Sequence, residues 1–174
     1  MISIVISGPE STGKSTMTKQ LANYFNCLFV EEYARDYVQR LNREYLFSDV
    51  ETIAIRQIAS YKIMQKCVGM HSLVVFDTFL IITKIWFEEV YQCCPLFIHE
   101  AIKMYKPNLV FLCYPDIEWK HDGVRENKDK RLHLFYRYRE ELERYNISYN
   151  IVSGYEDARI TNVIKLVSGY CNFK

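Results

Sequence analysis

The chain has 174 residues, and its 22 Lys plus Arg nearly cancel 21 Asp plus Glu, leaving a net charge of +1. That length is one domain's worth, and the balance excludes a uniformly basic nucleic-acid binder and an acidic tail protein, though not a local basic site. With 49% hydrophobic and 25% charged residues the composition is that of a soluble globular protein, and only 6 Gly and 4 Pro leave little for linkers or an all-β fold rich in tight turns.

Strand and helix patterns alternate along the chain. Ile2–Ser7 is a β-branched run closed by Gly8-Pro9. It lacks a basic n-region and a cleavage site, so it reads as a strand and not as a signal peptide. Lys14–Phe25 places Met17, Leu21, Ala22 and Phe25 at helical spacing, and Cys27–Val30 is a short apolar strand. Helices are expected over Glu32–Leu41 and Asp49–Cys67, the latter with Ser48 as N-cap and Glu51 as its capping-box partner. Leu73–Phe76 is a buried strand ending at Asp77, and Thr78–Val90 and Phe97–Tyr105 look helical. Leu109–Cys113 is another strand, Asp129–Tyr145 a long charged helix, Ser148–Val152 a last strand and Ala158–Val167 a last helix. Five apolar strands, each followed by helix, predict a single α/β domain over residues 1–174, a three-layer sandwich around a five-stranded parallel sheet. The polar stretch 118–130 interrupts this layout after the fourth strand and is a candidate lid.

The six cysteines, Cys27, Cys67, Cys93, Cys94, Cys113 and Cys171, form no C-x-x-C pair. They are expected as reduced, mostly buried thiols of a cytoplasmic protein. No run approaches the length of a membrane span, so no membrane partner is expected.

Residues 8–15 read Gly8-Pro9-Glu10-Ser11-Thr12-Gly13-Lys14-Ser15, which fits G-x-x-x-x-G-K-[ST] between a strand and a helix. The glycines let backbone N–H groups converge on a phosphate, and the helix N-terminus adds to that field. Lys14 can span the β- and γ-phosphates, the Ser15 hydroxyl can ligate Mg²⁺, and Thr16 follows in the first turn. ATP is expected over GTP, because no guanine-reading N/T-K-x-D run is present.

Carboxylates follow the second and third strands: Glu32 and Asp36 after the one, Asp77 after the other. In parallel sheets ligands sit beyond the carboxyl ends of strands, so these acids face the phosphate loop. Glu32 is expected to contact the acceptor hydroxyl and Asp77 to organise the Mg²⁺ water shell. A loop with Arg125, Lys128, Lys130 and Arg131, Arg125 lying in the candidate lid, can close on the transferring phosphate. Tyr33, Trp86 and Trp119 are candidate faces for a flat cationic ring, Gln57 a candidate polar contact to the acceptor, and Arg159 a candidate adenine contact.

These stretches together resemble the NadR-like P-loop kinases. The resemblance rests on GPESTGKST at 8–16, EEYARDYV at 31–38, Ile53 to Gln57, FDT at 76–78 with Thr83 and Trp86, PDIEWKHDGVREN at 115–127 and ISYNIVSGYEDAR at 147–159. It implies the P-loop nucleoside triphosphate hydrolase fold of the nucleoside-kinase type. It also implies transfer of the ATP γ-phosphate to the 5′-hydroxyl of nicotinamide riboside, giving nicotinamide mononucleotide, with a mobile lid bearing Arg125. The family often has Asp-Thr-Asp after the third strand, where this chain has Phe79. Longer relatives add an adenylyltransferase domain with an H-x-G-H motif, which is not found here.

Two other readings remain open. One is a kinase for a different nucleoside or nucleotide; the other is an ATP-dependent switch. Partners are accordingly ATP and a small nucleoside, with the oligomeric state open and no nucleic acid expected. The charges at Arg131, Arg137, Arg139, Glu140, Glu141 and Glu143 read as a solvated helix face.

Overall fold

Five strands pair in parallel in the computed structural model, which describes residues 2–66, 73–123 and 125–172. β1 (Ile2–Ser7) lies at the centre. β2 (Leu28–Val30) and β3 (Leu73–Asp77) lie to one side of it, β4 (Leu109–Cys113) and β5 (Tyr149–Val152) to the other, in the order β2-β3-β1-β4-β5. The register sets Val5 opposite Phe76 on one neighbour and Val110 on the other.

Alternation along β1 explains the two layers of helices. Ile4 and Ile6 point to one face, where they meet Met17 and Leu21 of α1 (Lys14–Phe25) and Val163 and Val167 of α7 (Glu156–Asn172). Val5 points the other way, with Phe76, Val110 and Leu112. That face is covered by α3 (Phe47–Lys66), α4 (Leu80–Tyr91), α5 (Leu96–Met104) and α6 (Arg131–Arg144). α2 (Tyr33–Arg40) buries no residue fully. The three central strands carry almost no polar side chain because neither face meets water. The edge strand β2 departs from that expectation, since Leu28 and Phe29 are exposed.

Several boundaries differ from the sequence expectation for local reasons. Ser48 does not cap α3; the helix starts at Phe47, and the Asp49 carboxylate accepts the Leu46 N–H at 2.7 Å. Position 67, the expected end of α3, lies outside the described residues. Thr78 cannot begin α4, because its φ is +79° and Phe79 is extended. A short 3-10 turn over Lys128–Lys130 precedes α6. Of the described cysteines only Cys113 is buried, so the thiols are less sheltered than expected.

The charged face of α6 is also not simply solvated. Lys84 of α4 is fully buried and its Nζ lies 2.9 Å from Glu141 and 2.5 Å from Glu88. Arg137 reaches across to Glu88 at 2.9 Å and Glu89 at 3.4 Å. These pairs fasten α6 to α4, and both helices wall the site described next.

Candidate active site

Gly8 ends β1 with φ +136°, and a Cβ there would sit 2.7 Å from the Cys113 carbonyl oxygen. The phosphate-binding loop therefore lies directly against the end of β4. Ser11 at φ +54° and Gly13 at φ +79° turn the chain so that α1 begins at Lys14. Thr12 Oγ1 and Lys14 Nζ both donate to the Pro9 carbonyl at 2.8 Å, which holds the ammonium over the loop. Thr16 is exposed on the first turn of α1. The first N–H groups of that helix have no intrahelical acceptor, so they present a field suited to an anion.

Among the described residues three neighbouring cavities share Glu32 in their lining, and two of them also reach the phosphate loop or the start of α1. The largest, about 330 Å³, is also lined by Lys14, Arg35, Tyr45, Trp86, Arg125 and Tyr138. A second, about 80 Å³, is lined by Gln57, Asp77 and Thr78, and a third, about 180 Å³, by Ser15, Asp36 and Asp77. Burial pushes the Glu32 carboxyl up from its ordinary range. The Lys14 charge opposes this, Asp77 adds to it, and Arg35 and Arg125 oppose it further. Burial likewise pushes Asp77 up, against Lys14, a hydrogen bond from Ser15, and Arg35. Asp77 is 5% exposed and its Oδ1 has no hydrogen-bond partner. A buried carboxylate oxygen left without a donor, beside a hydroxyl, is a donor set that fits Mg²⁺ and its waters.

The segment after β4 is docked on the phosphate loop. Glu10 accepts from Trp119 Nε1 at 2.7 Å and from the backbone N–H groups of Asn127 at 2.9 Å and Glu126 at 3.2 Å. Ser11 Oγ accepts the Lys120 N–H at 3.0 Å. Arg125 pairs with Asp122 at 3.1 Å, and Asp122 also meets Arg35 at 3.0 Å, so one carboxylate bridges the candidate lid to α2. Arg131 donates to the carbonyls of Ser11 and Ile117 at 3.0 and 2.8 Å.

Two aromatic and cationic expectations change with these contacts. Trp119, expected against the acceptor ring, belongs to the clasp on Glu10 and stands under Lys128, 5.7 Å from its ring centre. Arg159, expected on adenine, is 4% exposed. Its guanidinium holds Asp116 at 2.5 Å and the carbonyls of Gly154 and Tyr114 at 3.0 and 2.9 Å, so it braces the loop after β5. Trp86 does line the main cavity, with Tyr45 edge-on at 4.9 Å. Gln57 donates to Thr78 Oγ1 at 3.3 Å and accepts from Thr83 at 2.9 Å. Tyr33 and Asp36 are exposed at the rim of the two smaller cavities.

The family described as an AAA domain (AAA_28) matches residues 3–159, from β1 through the phosphate loop and the docked segment to Arg159. The chain belongs to this AAA-domain family, and over most of its length it is NadR-like. The NadR-like domain is similar to the trifunctional NAD biosynthesis/regulator protein NadR of Salmonella typhimurium, 30% identical over 70% of this chain. It spans only 30% of that relative's length. A crystal structure of NadR protein in complex with NR superposes with a TM-score of 0.85 at 23% identity, covering 99% of this chain and 52% of that one. Deoxyadenosine kinase from M.mycoides with bound dATP superposes at 0.63 with 14% identity, covering 97% and 100%. In this NadR-like domain Phe79, at the start of α4, is buried and packs edge-on against Tyr61 at 5.5 Å, so that position belongs to the core. Arg35 and Tyr45 are site residues that pattern reading missed. Arg35 lies within the EYARDYV run, whereas Tyr45 sits between helices, where periodicity carries no signal.

Proposed function

We propose that the domain transfers the γ-phosphate of ATP to the 5′-hydroxyl of nicotinamide riboside, giving nicotinamide mononucleotide. The observation that carries the reading is the position of Glu32, common to the cavity with Lys14, Arg35, Arg125 and Trp86 and to the cavity with Ser15 and Asp77. A single carboxylate thus faces both the phosphate side and the acceptor side. The loop amides and the α1 N-terminus bind the β-phosphate, while Lys14 moves its donors from Pro9 to the β,γ-oxygens. Glu32 accepts the proton of the acceptor hydroxyl; its upward shift makes it a stronger base than an exposed glutamate. Arg125 and Arg35, which share Asp122, bring positive charge to the transferring group. Ser15 and Asp77 would hold Mg²⁺ directly or through water. Bound with ATP, that ion would supply neutralisation between the β- and γ-phosphates.

The acceptor side supports a flat cationic ring. Trp86, Tyr45 and Tyr138 give aromatic surface, and Glu89 and Glu126 give negative charge. A cation over such faces gains ~0.5–2 kcal/mol. The test is product identification after incubation with MgATP and a panel of ribosides. Nicotinamide mononucleotide is the expected product; exclusive phosphorylation of another riboside, or ATP hydrolysis with no phosphorylated riboside, overturns the assignment.

A further inference from the structure

The connection between α2 and α3, residues 41–46, has no regular structure and yet delivers Tyr45 into the main cavity. What fixes it is one carboxylate. Asp49, in the first turn of α3, is buried, and four donors converge on it. Arg43 grips it with two nitrogens, Nη1 to Oδ2 at 2.6 Å and Nη2 to Oδ1 at 3.0 Å. The Tyr37 hydroxyl of α2 donates at 2.9 Å and the Leu46 N–H at 2.7 Å. Arg43 also donates to the Glu44 carbonyl at 2.8 Å. Residues 43, 44 and 46 are thus all tied around Asp49, on both sides of Tyr45. A bidentate, charge-assisted pair fixes orientation as well as distance.

The geometry points to Asp49 and Arg43 as positioning residues for the acceptor site, clasping the 41–46 loop so that Tyr45 stands edge-on to Trp86 and completes the wall that the acceptor's base touches. The inference rests on the acceptor reading above for the word acceptor, but not for the clasp itself. The clasp supplies the charged anchor of this connection: Glu44 and Leu46, on either side of Tyr45, are exposed, and the Tyr45 ring meets Trp86 at 4.9 Å and 81°. Its hydroxyl lies within reach of Trp86 and Glu126, so the ring's placement also meets the docked segment. Arg43, Asp49, Tyr37 and the Leu46 N–H are bonded to one another and not to the phosphate loop, so loosening the clasp acts first on the acceptor wall.

The chain has two tryptophans, Trp86 and Trp119, so a Trp119→Phe background leaves Trp86 as its own reporter. In that background Arg43→Gln, at a half-exposed side chain that folding tolerates, is expected to raise acrylamide quenching of Trp86 about twofold, as Tyr45 leaves its edge. In the otherwise native chain, Arg43→Gln and Asp49→Asn are expected to raise KM for the riboside about tenfold while KM for ATP stays within about twofold. In a Tyr45→Ala background, Arg43→Gln should then add less than about a twofold further change. Unchanged Trp86 quenching in Arg43→Gln overturns the clasp, as does an equal rise in both KM values or full additivity with Tyr45→Ala. The acceptor reading fails separately, by turnover of some other riboside and not of nicotinamide riboside. The kinetic arms are then measured on that riboside, and the fluorescence arm needs no acceptor.

Discussion

Replacing Gly8 by alanine separates two costs that usually arrive together. At φ +136° an L-residue is strained, by about 1–3 kcal/mol for such a backbone region. The added Cβ would also lie 2.7 Å from the Cys113 carbonyl oxygen and 3.1 Å from Cys113 N and Cβ. Two of these three neighbours are backbone atoms of β4, so no side chain can swing aside to relieve the contact. Either β1 or β4 must shift, and forced repacking of that kind costs a further ~1–3 kcal/mol. Together the loss is about 2–6 kcal/mol, against a total stability of about 5–15. Gly154 is the control: its φ is +97°, yet a Cβ there meets nothing within 4 Å. Gly154→Ala carries strain only, and the difference between the variants measures the close approach, expected at ~1–3 kcal/mol. Urea unfolding at constant m-value is the assay. Equal losses in the two variants, or a loss below about 1 kcal/mol in Gly8→Ala, would refute the argument that the loop is seated on β4.

Lys84→Met leaves the buried Glu141 only the exposed Arg144, at 3.3 Å, and should cost about 3–5 kcal/mol, whereas Lys84→Met with Glu141→Leu should recover most of it; thermal melts of both variants check this, and a silent single mutant contradicts it. Asp77→Asn should raise Tm while phosphoryl transfer collapses. Burial lifts the Asp77 pKa, so the folded state disfavours its charged form at neutral pH and the neutral amide relieves that cost. A gain of about 1 kcal/mol would appear as a rise of ~2–4 °C, and a lower Tm would count against it. Because Glu32 is also shifted upward, kcat/KM for the acceptor should fall with decreasing pH through a pKa above the ordinary glutamate range. Arg35→Gln removes a charge that opposes the shift, so it should move that limb to higher pH; an unmoved limb would assign the base elsewhere.

The sheet, the phosphate loop and the strand-end acids were legible because each has a local signature. Unbroken apolar runs such as Leu73–Phe76 and Leu109–Cys113 can only be buried, and G-x-x-x-x-G-K-S between strand and helix dictates its own turn. Pattern reading failed where one side chain's role is set by a partner far along the chain. Glu141 and Arg137 look like solvent charges until Lys84 and Glu88 arrive from α4. Trp119 and Arg159 look available until Glu10 and Asp116 claim them. Ser48 looked like a cap because Asp49, one residue on, gives no hint in sequence that it also binds Arg43 and Tyr37.

The strand order divides the candidate site between the centre of the sheet and its margin. The parts that handle phosphate hang from the ends of β1, β3 and β4, the three innermost strands, where a change in one is felt by its neighbours on both sides. Tyr45 hangs from the short connection between α2 and α3, which belongs to no strand and is pinned by its own contacts. On the proposed function, a change in that connection would therefore retune which base is accepted without renegotiating the chemistry. A fold partitioned in this way can diversify its substrates by changing a few residues at its margin while its centre stays constant.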